Sequence, residues 1–126
     1  MKKKVIQTKL APQAIGPYSQ AVAVGDYLFC SGQIALNPET GELVGADAAT
    51  QAGQALANLM QVLKAAGMQA KNVVKATLYL KDLDDFKAVN AVWAEVFTID
   101  PPARATVEVS RLPAGALVEV DVIAAR

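Results

Sequence analysis

The stretch "NVVKATLYLKDLDDFKAVNAVWAEVFTIDPPARATVEV" (residues 72–109) decides the fold, because its hydrophobic period changes twice. In residues 72–80, Val74, Ala76, Leu78 and Leu80 alternate with Lys75, Thr77 and Tyr79, the two-residue period of a strand. Leu83, Phe86, Val89, Trp93, Val96 and Phe97 then recur at helical spacing, so a helix is expected over about 83–97, opened by Asp82 or Asp84. Asn90 sits inside that stripe, between Phe86 and Trp93. Pro101 and Pro102 forbid continuation, and a second alternating run follows at about 104–110. Strand, helix and strand in this order imply a right-handed crossover between parallel strands.

Outward from this unit, residues 47–66 form a second helix. Ala52, Leu56, Leu59, Leu63 and Ala66 make one stripe, Asp47 is placed to cap the start, and Gly67 with Met68 is placed to close the end. A short strand is expected at 2–7 and a hairpin over 21–34 turning at Gly25-Asp26. Past that turn Leu28, Cys30, Gly32 and Ile34 should share one face. A last strand is expected at 117–125. The order β-β-β-α-β-α-β-β predicts a single α+β domain over 1–126, with two helices on one face of a mixed sheet. In strand 104–110 the alternation directs Ala105, Val107 and Val109 towards the helices and Arg104, Thr106 and Glu108 away. In the last strand Val118, Val120 and Val122 point in, and Glu119 and Asp121 point out. The uncovered face is then either an ordinary solvent face or a polar-lined subunit interface or pocket.

Composition narrows the chemistry. Lys plus Arg and Asp plus Glu each number 12, giving zero net charge, and no basic stripe for nucleic acid is visible beyond Lys2, Lys3 and Lys4. No run is apolar and long enough for a signal peptide core or a membrane span, so a soluble, cytoplasmic protein is expected. The chain has no histidine and one cysteine, Cys30 in an apolar run, read as a small buried hydrophobe rather than a reactive thiol. Histidine-based triads, zinc sites of the usual ligand set and glycine-rich phosphate loops are absent. Catalysis here would rest on Arg, Glu, Asp, Tyr, Ser, Thr and backbone groups.

Arg104 is the pointed candidate. The stiff Pro101-Pro102-Ala103 approach fixes where it begins its strand, and its planar fork matches a carboxylate bidentately. It is read either as a clamp for a small organic acid or as the ion partner of Glu119 or Glu108. Tyr18 and Asn90 are candidate hydrogen-bonding or wall residues, and Glu119 a candidate to orient water or pass a proton. Each also has a plain structural reading: a loop tyrosine, an inward asparagine bonded to backbone, a solvated glutamate.

"IGPYSQAV" (15–22), "SGQI" (31–34), "NPETGELV" (37–44), "PPARATVEVSRLP" (101–113) and "LVEVDVIA" (117–124) closely resemble the Rid, or YjgF, family of reactive enamine/imine deaminases, nearly end to end. The resemblance implies a chorismate-mutase-like (ferredoxin-like) fold and a homotrimer whose sheets enclose a barrel, with clefts between subunits. It implies hydrolysis of 2-aminoacrylate/2-iminopropionate and 2-iminobutanoate to 2-oxo acids and ammonia, without cofactor or metal. A functional link to the pyridoxal-phosphate dehydratases that release these intermediates follows from it. By motif it assigns Arg104 to the substrate carboxylate, Tyr18 to the pocket wall, and Ser31 and Gly32 to backbone contact with substrate. Asn90 falls on the helix asparagine, and Glu119 on the residue that helps activate water. Thr106 stands where many members carry cysteine, within the expected substrate site. Two other readings attach to the family: a non-catalytic carboxylate-binding regulator or chaperone-like trimer, and an endoribonuclease or translation inhibitor. Zero net charge and the missing histidine weigh against the last.

Overall fold

The computed structural model describes residues 1–126. Six strands, β1 (Lys3–Ile6), β2 (Ala21–Val24), β3 (Tyr27–Gln33), β4 (Val73–Leu80), β5 (Ala103–Glu108) and β6 (Val118–Ala125), form one sheet in the order β1-β2-β3-β6-β4-β5. Helices α1 (Ala48–Ala65) and α2 (Phe86–Val96) connect β3 to β4 and β4 to β5. Only β4 and β5 pair in parallel, across the α2 crossover; every other pairing is antiparallel. The last strand slots between β3 and β4, splitting the first β-α-β unit. An α+β fold with a mixed six-stranded sheet is therefore observed as expected.

Local chemistry places the helices. Asp47 accepts from the Thr50 N–H at 2.7 Å, satisfying one of the unpaired amides that begin α1. At its other end Gly67 takes φ 74°, and the Met68 and Gly67 amides bond back to Leu63 and Lys64 at 2.9 Å each. This is the double-bonded glycine stop, and it folds Met68 into the core. Asp82 starts a one-turn 3-10 segment, Leu83–Asp85, by accepting from the Asp84 amide. That segment leads into α2.

One core of 24 buried residues lies between the helices and the sheet, drawing on Leu56, Leu59, Val62 and Leu63 of α1, Val89 and Trp93 of α2, and Leu28, Ala76, Leu78, Val118, Val120 and Val122 of the strands. Three buried amides pin loops to it. Gln20 bonds both ways to Thr8 and donates to Ala11 and Pro12, Asn58 donates to Ile34 and Leu36, and Gln51 bridges Gly45 and Leu117. Gln33 is the fourth buried amide residue, on the sheet itself.

Three expected face assignments change. A bulge between Cys30 and Gln33 reverses the alternation of β3, so Gln33 is buried while Gly32 is turned out. A second bulge between Val73 and Lys75 buries Val73 and leaves Val74 half exposed. The largest correction concerns β5. Arg104 pairs with Ala76 and Thr106 with Leu78, both buried under the helices. Arg104 and Thr106 therefore lie on the helix side, and Ala105 and Val107 on the uncovered side, the inverse of the expected arrangement. The apolar alternation of β5 marks surface awaiting cover on the open face of the sheet, not surface beneath the helices.

Candidate functional site

All of the predicted residues but Thr106 gather into two hollows on opposite faces of the sheet. The first surrounds Arg104. The edge strand β5 and the flank of α2 enclose a recess of about 360 Å³ lined by Asn90, Trp93, Ala94, Phe97, Pro101, Pro102 and Arg104. The guanidinium carbon stands 5.5 Å from the centre of the Phe86 ring and 5.0 Å from that of Trp93. Two aromatic faces, two helical turns apart on α2, thus hold the cation in a cation–π sandwich. Trp93 is in turn braced by Phe97, with ring centres 4.6 Å apart. Burial alone pulls the Arg104 pKa below its ordinary value, with no acid near enough to act against it. The alternative reading of Arg104 as an ion partner fails on geometry. Glu119 is on the other face of the sheet, and Glu108 accepts from the Leu83 amide at 3.1 Å instead. Asn90 opens into this recess as an exposed residue, not as an inward asparagine.

The second hollow is a cleft of about 580 Å³. Tyr18, Ser31, Gly32 and Glu119 line it together with apolar Ile15, Ile34, Leu36 and Pro113. Tyr18 rides on the 11–20 loop, and its hydroxyl accepts from the Ile15 amide at 3.3 Å. The Ser31 hydroxyl donates to the Ser19 carbonyl at 2.5 Å. Its proton is spent on fixing the loop that carries Tyr18, which leaves its oxygen as an acceptor. Gly32 makes room for Glu119: a Cβ there would stand 2.5 Å from Glu119 Oε2 and 2.8 Å from its Cδ. The carboxyl is half-buried, and burial, with Asp121 adding like charge, raises its pKa above the ordinary glutamate value.

Thr106 lines neither hollow; it lies along β5 beside Leu78. Cys30 is buried, and burial, helped by Asp121, pushes its thiol up to about 12, so it is an inert core residue as expected. No three His, Cys, Asp or Glu side chains converge to hold a metal ion, and no helix is long and apolar enough to cross a membrane. Sequence reasoning missed the role of Phe86 and Trp93 as stacking partners, because their spacing read only as core stripe. The exposure of Phe86 is the structural sign of a second task. It also missed the bond from Tyr79 to Asp121, at 2.9 Å on the uncovered face, which needs the β4–β6 register to be seen.

The family model described as "Endoribonuclease L-PSP" matches residues 8–126. A RutC family protein of Pyrococcus horikoshii is 50% identical, over 97% of this chain and 97% of its own. The 2-iminobutanoate/2-iminopropanoate deaminase of Bos taurus is 48% identical, over 97% of this chain and 89% of its own. The solved structure of the YjgF gene product of E. coli matches with a TM-score of 0.94 and 47% identity, over 98% of each chain. With sequence and fold in agreement along nearly its whole length, the chain belongs to the Rid (YjgF) family.

Proposed function

We propose that the protein hydrolyses enamines and imines of small 2-amino acids, such as 2-aminoacrylate/2-iminopropionate and 2-iminobutanoate, to 2-oxo acids and ammonia. The observation that carries this reading is Arg104, a partly buried guanidinium that no acid neutralises and that two aromatic rings hold in place beside Asn90. Such a fork is complementary to a carboxylate. The name of the bovine relative supports the class of reaction. Arg104 and Glu119 lie on opposite faces of one sheet, so a single protomer cannot bring both to one small molecule. The working site is therefore a junction, with the Arg104 recess of one protomer facing the Glu119 cleft of the next in a homotrimer. Tyr18 and Ser31 shape that cleft.

The chemistry needs no strong nucleophile. Arg104 holds the substrate carboxylate, and the imine carbon is already electrophilic. Glu119 takes a proton as water forms the new C–O bond, while the C=N electron pair moves onto nitrogen. It then returns that proton to the nitrogen, now an amine if the substrate reacts as its iminium, and takes the proton of the new hydroxyl as the C=O bond forms and the C–N bond breaks, releasing ammonia and the 2-oxo acid and passing the last proton to solvent. Fixing the reactants in this geometry lowers the barrier by a few kcal/mol, or about 10²–10³ in rate.

A coupled assay tests the reading. A serine dehydratase supplies 2-aminoacrylate, and pyruvate formation is followed with and without the protein. Acceleration is expected with the wild type and not with Arg104→Ala or Arg104→Lys, since lysine lacks the planar fork. A wild type without effect that still binds 2-oxo acids would leave a carboxylate-binding regulator as the function. Two fully active variants would remove Arg104 from the mechanism.

A further inference from the structure

The uncovered face of the sheet carries a second acid that the reaction above does not use. Glu119 and Asp121 are two residues apart on β6, so their side chains leave the same face one pleat apart. On β4, Tyr79 lies directly opposite Glu119 and Thr77 opposite Asp121. The Tyr79 hydroxyl bypasses its direct neighbour and donates diagonally to Asp121 Oδ2 at 2.9 Å. Asp121 is thus held in place beside a glutamate that Gly32 allows to settle against the backbone of β3.

We propose that Asp121, held by Tyr79, is a positioning residue that keeps Glu119 as the proton-exchanging carboxyl of the pair. Asp121 is the fixed charge, and Glu119 is the group that binds and releases the proton. The proposal rests on the deaminase reading for its purpose, and on the sheet register for its geometry. The groups facing Glu119 are few. Asp121 comes from its own strand, Tyr79 from β4, and Tyr18 and Ser31 from the cleft wall. Lys75 shares this face of β4 but lies opposite Ile123, two pleats from Glu119. On the same face β5 presents only Ala103, Ala105 and Val107. No cation of the protomer therefore stands directly across from Glu119 to offset Asp121. The upward pKa of Glu119, from burial and then from Asp121, and that of Tyr79, from its bond to Asp121, agree with this arrangement. A glutamate tuned towards neutrality is suited both to accept a proton from water and to return it to the departing nitrogen.

The test is a carbon-13 titration of the Glu119 carboxyl in the intact, substrate-free assembly, for wild type, Asp121→Asn and Tyr79→Phe. Both variants keep the shape of the side chain they replace, and two of them keep the question answerable if one folds poorly. Removing the fixed charge should lower the Glu119 midpoint. Tyr79→Phe should lower it too, because it frees Asp121 to move away from Glu119. The acid limb of kcat/KM should move the same way, with the ratio of rates at low and neutral pH rising about threefold in Asp121→Asn. A midpoint unmoved in both variants, or moved while the acid limb stays, overturns the proposal. A wild type that fails to accelerate pyruvate formation overturns the deaminase reading instead, and the titration still decides whether Asp121 sets the charge of Glu119.

Discussion

Gly32 is required by space and not by backbone angle: its φ is ordinary, and the atoms that would meet a methyl group there belong to Glu119. The side chain that must yield is the far end of a flexible glutamate, so the fold can absorb the change while the carboxyl cannot keep its place. Gly32→Ala is therefore expected to leave the melting temperature within a degree or two of wild type and to lower kcat/KM by roughly 10–100-fold, because displacing a reacting group by about an ångström forfeits much of its alignment. Thermal melts and the coupled assay read the two effects separately. A large loss of stability with unchanged turnover would mean that Glu119 has no fixed station. Arg104 shows the opposite design at the same scale. Its position depends on what is present around it, two rings and a stiff proline approach, and its freedom from any acid is what keeps it available to a substrate.

At the scale of elements, the helices were legible in the sequence because their signals are local. Asp47, Gly67 and the stripe from Ala52 to Leu63 specify where α1 begins, ends and faces without reference to anything distant. Strand faces were less legible. A single inserted residue reverses alternation, and the bulges in β3 and β4 each did so near their ends. In β5 the pattern itself was read correctly, but an apolar face says only that it is to be covered, not by which neighbour. Arg104 was thus singled out by its residue type and its proline approach, and assigned to the wrong side of the sheet. The buried amides were not legible at all, since their partners are backbone groups up to 66 residues away. Gln51 is the clearest case. Its Nε2 donates to the Gly45 carbonyl at 3.0 Å and its Oε1 accepts from the Leu117 amide at 2.8 Å, tying the start of α1 to the entry of β6. Gln51→Leu keeps the volume and leaves both backbone groups without a partner. It is expected to cost about 2–4 kcal/mol, measured by urea denaturation, which is one desolvation penalty for each abandoned group. A neutral result would show that water enters to replace the amide.

On the scale of the whole molecule, the sheet has one helix-covered face and one open face, and each carries one of the two hollows. The open face exposes Val5, Tyr27, Phe29 and Val107, large apolar side chains on three different strands. A surface of this kind on a small domain is suited to burial against copies of itself. If the site is shared, two defects carried by different protomers must be able to cancel. Arg104→Ala and Glu119→Gln, each inactive alone, are unfolded together in equal amounts, refolded and assayed. In a hybrid trimer a junction that draws its arginine from the Glu119→Gln chain and its glutamate from the Arg104→Ala chain is intact. Random assembly makes about one junction in four of this kind, so about a quarter of wild-type activity should return. Mixing without unfolding should restore nothing at first, because subunits must exchange before junctions can mix. A mass by light scattering confirms that both samples contain the same assembly. If refolded mixtures of the correct mass stay inactive, Arg104 and Glu119 do not meet across protomers, and the two hollows serve different molecules.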